Sequence, residues 1–167
     1  MLIAVDTNVL LDQAVGDADV LDALLTLTTR LKGTSFIVPP TVLEELGYQF
    51  VNGDDEQREA AEIALIRMRE WRYEPLNLAA YQKGIAEQIS FKLRSLGPLP
   101  DEEENDGLII AEAALLGCQL LLSSDHHMIE AQQHPRFRGV LEESEVDGDD
   151  IVIGSPRTIV RRFYPSR

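Results

Sequence analysis

The chain has 167 residues, 44% of them hydrophobic and 26% charged, which supports one compact domain with a sizeable core and argues against wholesale disorder. Asp and Glu number 29 against 15 Lys and Arg, and the formal net charge of -14 excludes a general nucleic-acid coat protein, whose phosphate contacts need clustered cations. One cysteine, Cys118, excludes an internal disulfide framework and suits a reducing compartment.

Taken in chain order, Leu2-Ile3-Ala4-Val5 is a short apolar run that stops at Asp6, as a fully buried strand does. Val20, Leu24, Leu27 and Leu31 recur at helical spacing, and Gly33 supplies the stop. Phe36-Ile37-Val38 reads as a second strand ended by Pro39-Pro40, followed by a helix from Thr41 to Phe50. Asp55 to Trp71 places Ala61, Ala64, Leu65, Met68 and Trp71 on one face. Leu78 to Leu96 places Tyr81, Ile85, Ile89 and Leu93 in one row, so residues 54–100 read as an added helical pair. The acidic turn Asp101 to Asn105 leads into a helix from Asp106 to Leu116, closed by Gly117. Cys118 to Leu122 and Ile151-Val152-Ile153 read as strands, and Ser155-Pro156 opens a last short helix. Strands alternating with helices predict an α/β fold: a single domain over residues 1–167, with a mainly parallel central sheet flanked by helices.

The N-terminus lacks a basic stretch and Asp6 interrupts its apolar run, so no signal peptide is read. The longest nearly apolar stretch, Leu108 to Leu122, contains Glu112 and is too short to span a bilayer. A soluble cytoplasmic protein is expected. Residues 1–53 carry 7 acids and 2 bases, and residues 54–100 carry 8 and 7. Residues 101–134 carry 8 acids and no base, while residues 135–167 carry 6 of each. The acidic excess thus lies in two blocks.

Parallel α/β sheets bind ligands beyond the carboxyl ends of their strands. Val5 runs into Asp6, and Leu122 runs through two serines into Asp125. Two helices start with acids, Glu44-Glu45 after Thr41 and Asp106 after the acidic turn. Four carboxylates on one rim would repel, and some would stay protonated unless a cation joined them. Oxygen ligands without Cys or His select Mg²⁺ or Mn²⁺ over zinc. Each acid also has a structural reading: Asp6 caps the turn after its strand, Asp106 favours a helix dipole, and Asp125 is a loop residue. Thr41-Val42-Leu43-Glu44 fits a capping box, which occupies Glu44 and leaves Glu45 as the preferred ligand. His126-His127 follows Asp125 and could reach the site but reads rather as a surface turn, and Cys118 reads as a small core residue.

The opening Ala4-Val5-Asp6-Thr7-Asn8-Val9-Leu10-Leu11-Asp12 resembles that of PIN-domain nucleases, the family that includes the VapC-type toxin ribonucleases. Three further stretches are similar to its other acidic motifs, in the family's order: Val38 to Leu46, Asp106-Gly107-Leu108-Ile109-Ile110-Ala111, and Leu122-Ser123-Ser124-Asp125. The resemblance spans roughly residues 1–130. It implies that Asp6, Glu45, Asp106 and Asp125 are the catalytic, metal-binding acids. Thr7 or Asn8 would orient Asp6, and Ser123 stands where the family often has Thr. It further implies an RNA substrate, Mg²⁺ or Mn²⁺ as cofactor, a toxin or RNA-processing role, an antitoxin protein as partner and a homodimer. Residues 54–100 exceed what the compact toxins carry, and Glu103 or Glu104 stand as possible extra ligands.

Metal-held water would supply the nucleophile, so no protein nucleophile is needed. The acids repel phosphate, so the bases Arg67, Arg69, Lys92 and Arg94 are the candidate substrate grip. Two rivals are a phosphatase of the haloacid dehalogenase type and a non-catalytic PIN-like protein-binding module. The phosphatase needs a second acid two positions after Asp6, where this chain has Asn8.

Overall fold

β1, Leu2–Val5, forms the middle of a five-stranded parallel sheet ordered β3-β2-β1-β4-β5. The other strands are β2 (Ser35–Val38), β3 (Tyr73–Pro75), β4 (Leu120–Leu122) and β5 (Val152–Gly154). A computed structural model describes residues 1–144, 146 and 151–163. Ile3, Ala4, Val5, Leu121 and Leu122 are fully buried, which explains why these strands read as continuous apolar runs rather than alternating ones.

The chain steps outward from β1 to β2 and β3, then crosses back to β4 on the other side of β1. That reversal makes the β1–β4 boundary the switch point, where side chains leaving the strand ends can meet in a crevice. Val5 lies in register with Leu122, so Asp6 and Ser123 emerge side by side.

The connecting helices are α1 (Thr7–Val15), α2 (Ala18–Arg30), α3 (Pro40–Asn52), α4 (Asp55–Arg67), α5 (Ala80–Ser95) and α6 (Glu104–Leu115). After β4 come α7 (His126–Ala131) and α8 (Phe137–Glu142), and α9 (Pro156–Phe163) follows β5. Ser155 opens α9 as expected, accepting from the Thr158 amide at 3.2 Å.

Several elements depart from the expectation. Residues 54–100 hold the two expected helices, α4 and α5, with an unexpected short strand, β3, between them. α4 stops at Arg67, and the chain turns through Arg72, a non-glycine residue at φ 61, into the edge strand β3. Leu65 is exposed on α4 and Tyr81 on α5, so both helical rows are shifted. Ala86, Ile89, Ser90 and Leu93 form the buried row of α5. The reason lies on α6: a Cβ at Gly107 would lie 2.4 Å from Ser90 Oγ, so this glycine lets the two helices close on each other. Ser90 Oγ also donates to the Glu104 carbonyl at 3.0 Å, fixing where α6 starts.

Candidate metal centre

Asp6 caps α1 and looks into the crevice at once. It is 4% exposed, and its carboxylate accepts three hydrogen bonds: from the Thr7 amide at 2.7 Å, Asn8 Nδ2 at 2.7 Å and Ser123 Oγ at 2.6 Å. Burial pushes its pKa up to about 6, while the Ser123 and Thr7 hydrogen bonds hold it down and Glu45 and Asp125 add like-charge repulsion. Asn8 works as a clamp across the strand ends: Nδ2 donates to Asp6 while Oδ1 accepts from the Ser124 amide at 3.0 Å.

Glu45 enters from the second turn of α3. Thr7 Oγ1 donates to its Oε2, and Asn105 Nδ2 donates to Oε1 at 2.8 Å. Asp125 caps α7, accepting from the His127 amide at 2.7 Å, and its own amide donates to Ser123 Oγ at 3.0 Å. Asp106 stands in the first turn of α6, beside the glycine that seats that helix on α5. Its Oδ2 is buried without a hydrogen-bond partner. Desolvation, then the charges of Asp125, Asp6, Glu103 and Glu45, push the Asp106 pKa up to about 8.

The four sequence-predicted acids therefore meet in one cleft of about 680 Å³, together with Thr7, Asn8, Thr41, Glu44 and Asn105. The predicted cations do not join them. None of Arg67, Arg69, Lys92 and Arg94 lines this cleft. Lys92 pairs with Glu143 at 3.1 Å, Arg94 donates to the Asp101 carbonyl at 2.9 Å, and Arg69 lies against β3 in a separate apolar hollow.

The capping box expected at Thr41 is absent. Pro39 is the N-cap and Pro40 the first helical residue of α3, which moves the helix start and leaves no local side chain to cap it. Glu112 does so from α6: its buried carboxylate accepts from the Thr41 amide at 3.0 Å and Thr41 Oγ1 at 2.8 Å. Glu44 is thereby left exposed on the rim of the cleft.

Sequence reasoning missed Asn105 and favoured a surface turn for His127 over its reaching the site. The histidine pair is not a loose turn but the first turn of α7, and His127 Nδ1 lies 3.1 Å from Glu103 Oε1 and 4.0 Å from Asp125 Oδ1. Glu103, Asp106 and His127 can bring ligand atoms within 4.8 Å of one another, whereas Glu104 is exposed. The only signal in the sequence was the adjacency of His126-His127 to Asp125.

Buried oxygen donors, one of them orphaned, facing a polar cleft suit a hard divalent cation better than any neutral ligand. The PIN domain matches residues 3–133 of the chain. The chain belongs to the PIN domain family. PIN domains are nucleases, and the cleft described above holds this one's acidic motifs. A comparison with curated proteins gave no match. Among solved structures, this PIN domain is similar to a chain of VapBC2 from Rickettsia felis, in a crystal structure bound to a DNA fragment from its promoter. The TM-score is 0.59 at 14% identity, covering 92% of this chain and 98% of that one. Among the described residues, no helix is long and apolar enough to cross a membrane.

Proposed function

We propose that this PIN domain is a metal-dependent endoribonuclease, hydrolysing RNA phosphodiester bonds at Asp6, Glu45, Asp106 and Asp125. The observation that carries the reading is the Asp106 carboxylate, which keeps a buried oxygen without a donor while four other acids press on it. Once ionised, such a group is stabilised by an arriving cation, which takes the place of the proton that burial and the neighbouring charges otherwise hold on it. Mg²⁺ or Mn²⁺ held by the four acids would lower the pKa of a bound water and neutralise charge at the phosphorus. The chain's own part is positioning. Ser123, Asn8 and the Thr7 amide fix the Asp6 carboxylate, and Thr7 and Asn105 fix that of Glu45.

The phosphatase alternative loses its support at Asn8, whose two amide ends are both spent bridging β1 and β4. A purely protein-binding module gives no reason for five carboxylates in one polar cleft. A toxin-type role in the cytoplasm, with an antitoxin protein as partner and a homodimeric assembly, completes the reading across residues 1–167. The likeness to VapBC2 supports that role over RNA processing.

The test is cleavage of mixed RNA with Mg²⁺, with Mn²⁺ and with EDTA. Cleavage is expected with either metal, leaving 5′-phosphate and 3′-hydroxyl ends, and none with EDTA. Cleavage that persists in EDTA, or 2′,3′-cyclic phosphate ends, contradicts the proposal.

A further inference from the structure

Among the described residues, the charged side chains lining the cleft are carboxylates, namely Asp6, Glu44, Glu45, Asp106 and Asp125, with no Lys or Arg in the lining. Arg58, which donates to the Gly53 carbonyl at 3.1 Å, stands at one corner, so beyond the metal ions a nucleic-acid chain entering here meets few cations and its uncharged parts contribute to affinity. The α3 side of the lining offers what such parts need.

α3 carries Glu45, Tyr48, Gln49 and Asn52 at i, i+3, i+4 and i+7, which places all four along one helix face. The last three continue from Glu45 along the cleft, and Gln49 lies about 6 Å beyond it at the usual helical rise. Tyr48 is 68% exposed, large for an aromatic ring on a polar wall. Gln49 Oε1 is buried with no hydrogen-bond partner, so no bond holds its carboxamide where it stands. The chain turns tightly where α3 ends at Gly53. A Cβ at Gly53 would lie 2.5 Å from the Gln49 carbonyl oxygen and 2.9 Å from Gln57 Cβ. Asp54 and Gln57 lock the same corner with a reciprocal pair of hydrogen bonds at 2.8 and 3.1 Å.

We infer that this wall is a nucleobase subsite for single-stranded RNA, with Tyr48 stacking on a base next to the cut and Gln49 reading its edge. It rests on the nuclease reading above. Every base offers a face to an aromatic ring, and a carboxamide pairs with donor–acceptor edges that a duplex keeps hidden. The subsite therefore selects unpaired RNA, and Gln49 sets which nucleotide is favoured.

Two readouts test it. In the first, the metal-free protein is titrated with the four neutral ribonucleosides, whose lack of phosphate removes repulsion by the acids. The Tyr48 ring signals and the Gln49 side-chain amide signals are followed by NMR. Both sets are expected to move together, and Tyr48→Ala to abolish the response at Gln49. In the second, Mn²⁺-dependent cleavage of a single-stranded RNA is measured. Tyr48→Ala is expected to raise KM about tenfold or more with kcat within about threefold, the range that loss of one base stack gives. Tyr48→Phe should behave as wild type, and Gln49→Leu should change the nucleotide found beside the cut. Unmoved signals with an unchanged KM overturn the subsite while leaving the nuclease reading intact. A wild type that cuts no RNA overturns the nuclease reading, and the nucleoside titration then decides the subsite alone.

Discussion

Asp6 and Asp106 line the same cleft from different elements, the end of β1 and the first turn of α6, and the deeper of the two is the easier to ionise. Asp6 is 4% exposed and sits at about 6, whereas Asp106, only partly buried, sits at about 8. Depth alone would order them the other way. The difference is donors: Asp6 at the strand ends takes three hydrogen bonds, while Asp106 at the start of α6 has an oxygen with none and more like charges around it. One wall is set in advance by the fold, and the other is left for a cation to complete.

Activity should respond to both walls. Asp6→Asn and Asp106→Asn are each expected to cut Mn²⁺-dependent RNA cleavage by more than the roughly 10- to 100-fold typical of an outer-shell partner. Initial rates on single-stranded RNA check this. Equal activity of either variant and wild type would remove that carboxylate from the reaction.

Stability should separate the walls. If all four acids merely repelled one another, either Asn substitution would raise the melting temperature in EDTA. The structure gives opposite signs instead. Asp6→Asn turns one acceptor oxygen into a donor facing donors, at a cost of about 1–3 kcal/mol, and melts several degrees lower. Asp106→Asn removes a charge that nothing compensates and melts a few degrees higher at pH 8. Scanning calorimetry of both variants in EDTA decides it, and shifts of the same sign would break the comparison.

The pH profile sharpens it further. Both folded values lie above the ordinary 3.8, so the folded protein holds protons that the unfolded chain has released. That stabilisation is complete below about pH 4 and is lost as pH rises, through about 6 for Asp6 and through about 8 for Asp106. Metal-free wild type should therefore lose melting temperature between pH 5 and 8, and Asp106→Asn should lose much less above pH 6. A profile that rises with pH over this range would mean the acids are paired with cations. The smallest effect is expected at the rim: Glu44→Gln should alter stability by less than about 0.5 kcal/mol and leave the cleavage rate within about threefold.

What the sequence made legible was whatever is local. Apolar runs ending on acids mark Asp6 and Asp125 at strand ends, an acid in the first turn marks Asp106, and the alternation of strands and helices marks the parallel sheet. The choice of Glu45 over Glu44 rests on the resemblance and on a capping box that the fold does not form. What it hid depends on distant partners or on position in space. Glu112 caps α3 from 71 residues away, and Pro40 displaced the helix start that the Thr41 capping box assumed. β3 is three residues long, with exposed Glu74 and Pro75 at the sheet edge, and shows no apolar run. The segment counts found the bases of residues 54–100, but no count could show that Arg67, Arg69, Lys92 and Arg94 lie outside the cleft.

The most direct test of a metal centre at the unfinished wall is the Mn²⁺-induced change in melting temperature of wild type and Asp106→Asn, measured side by side at pH 7. An ion that binds only the folded cluster adds about 2.7 kcal/mol at a hundred times its dissociation constant, or roughly 5–10 °C for a chain of this size. The account predicts that rise in wild type and most of it lost in Asp106→Asn. An equal rise in both proteins, or none in wild type, would contradict it.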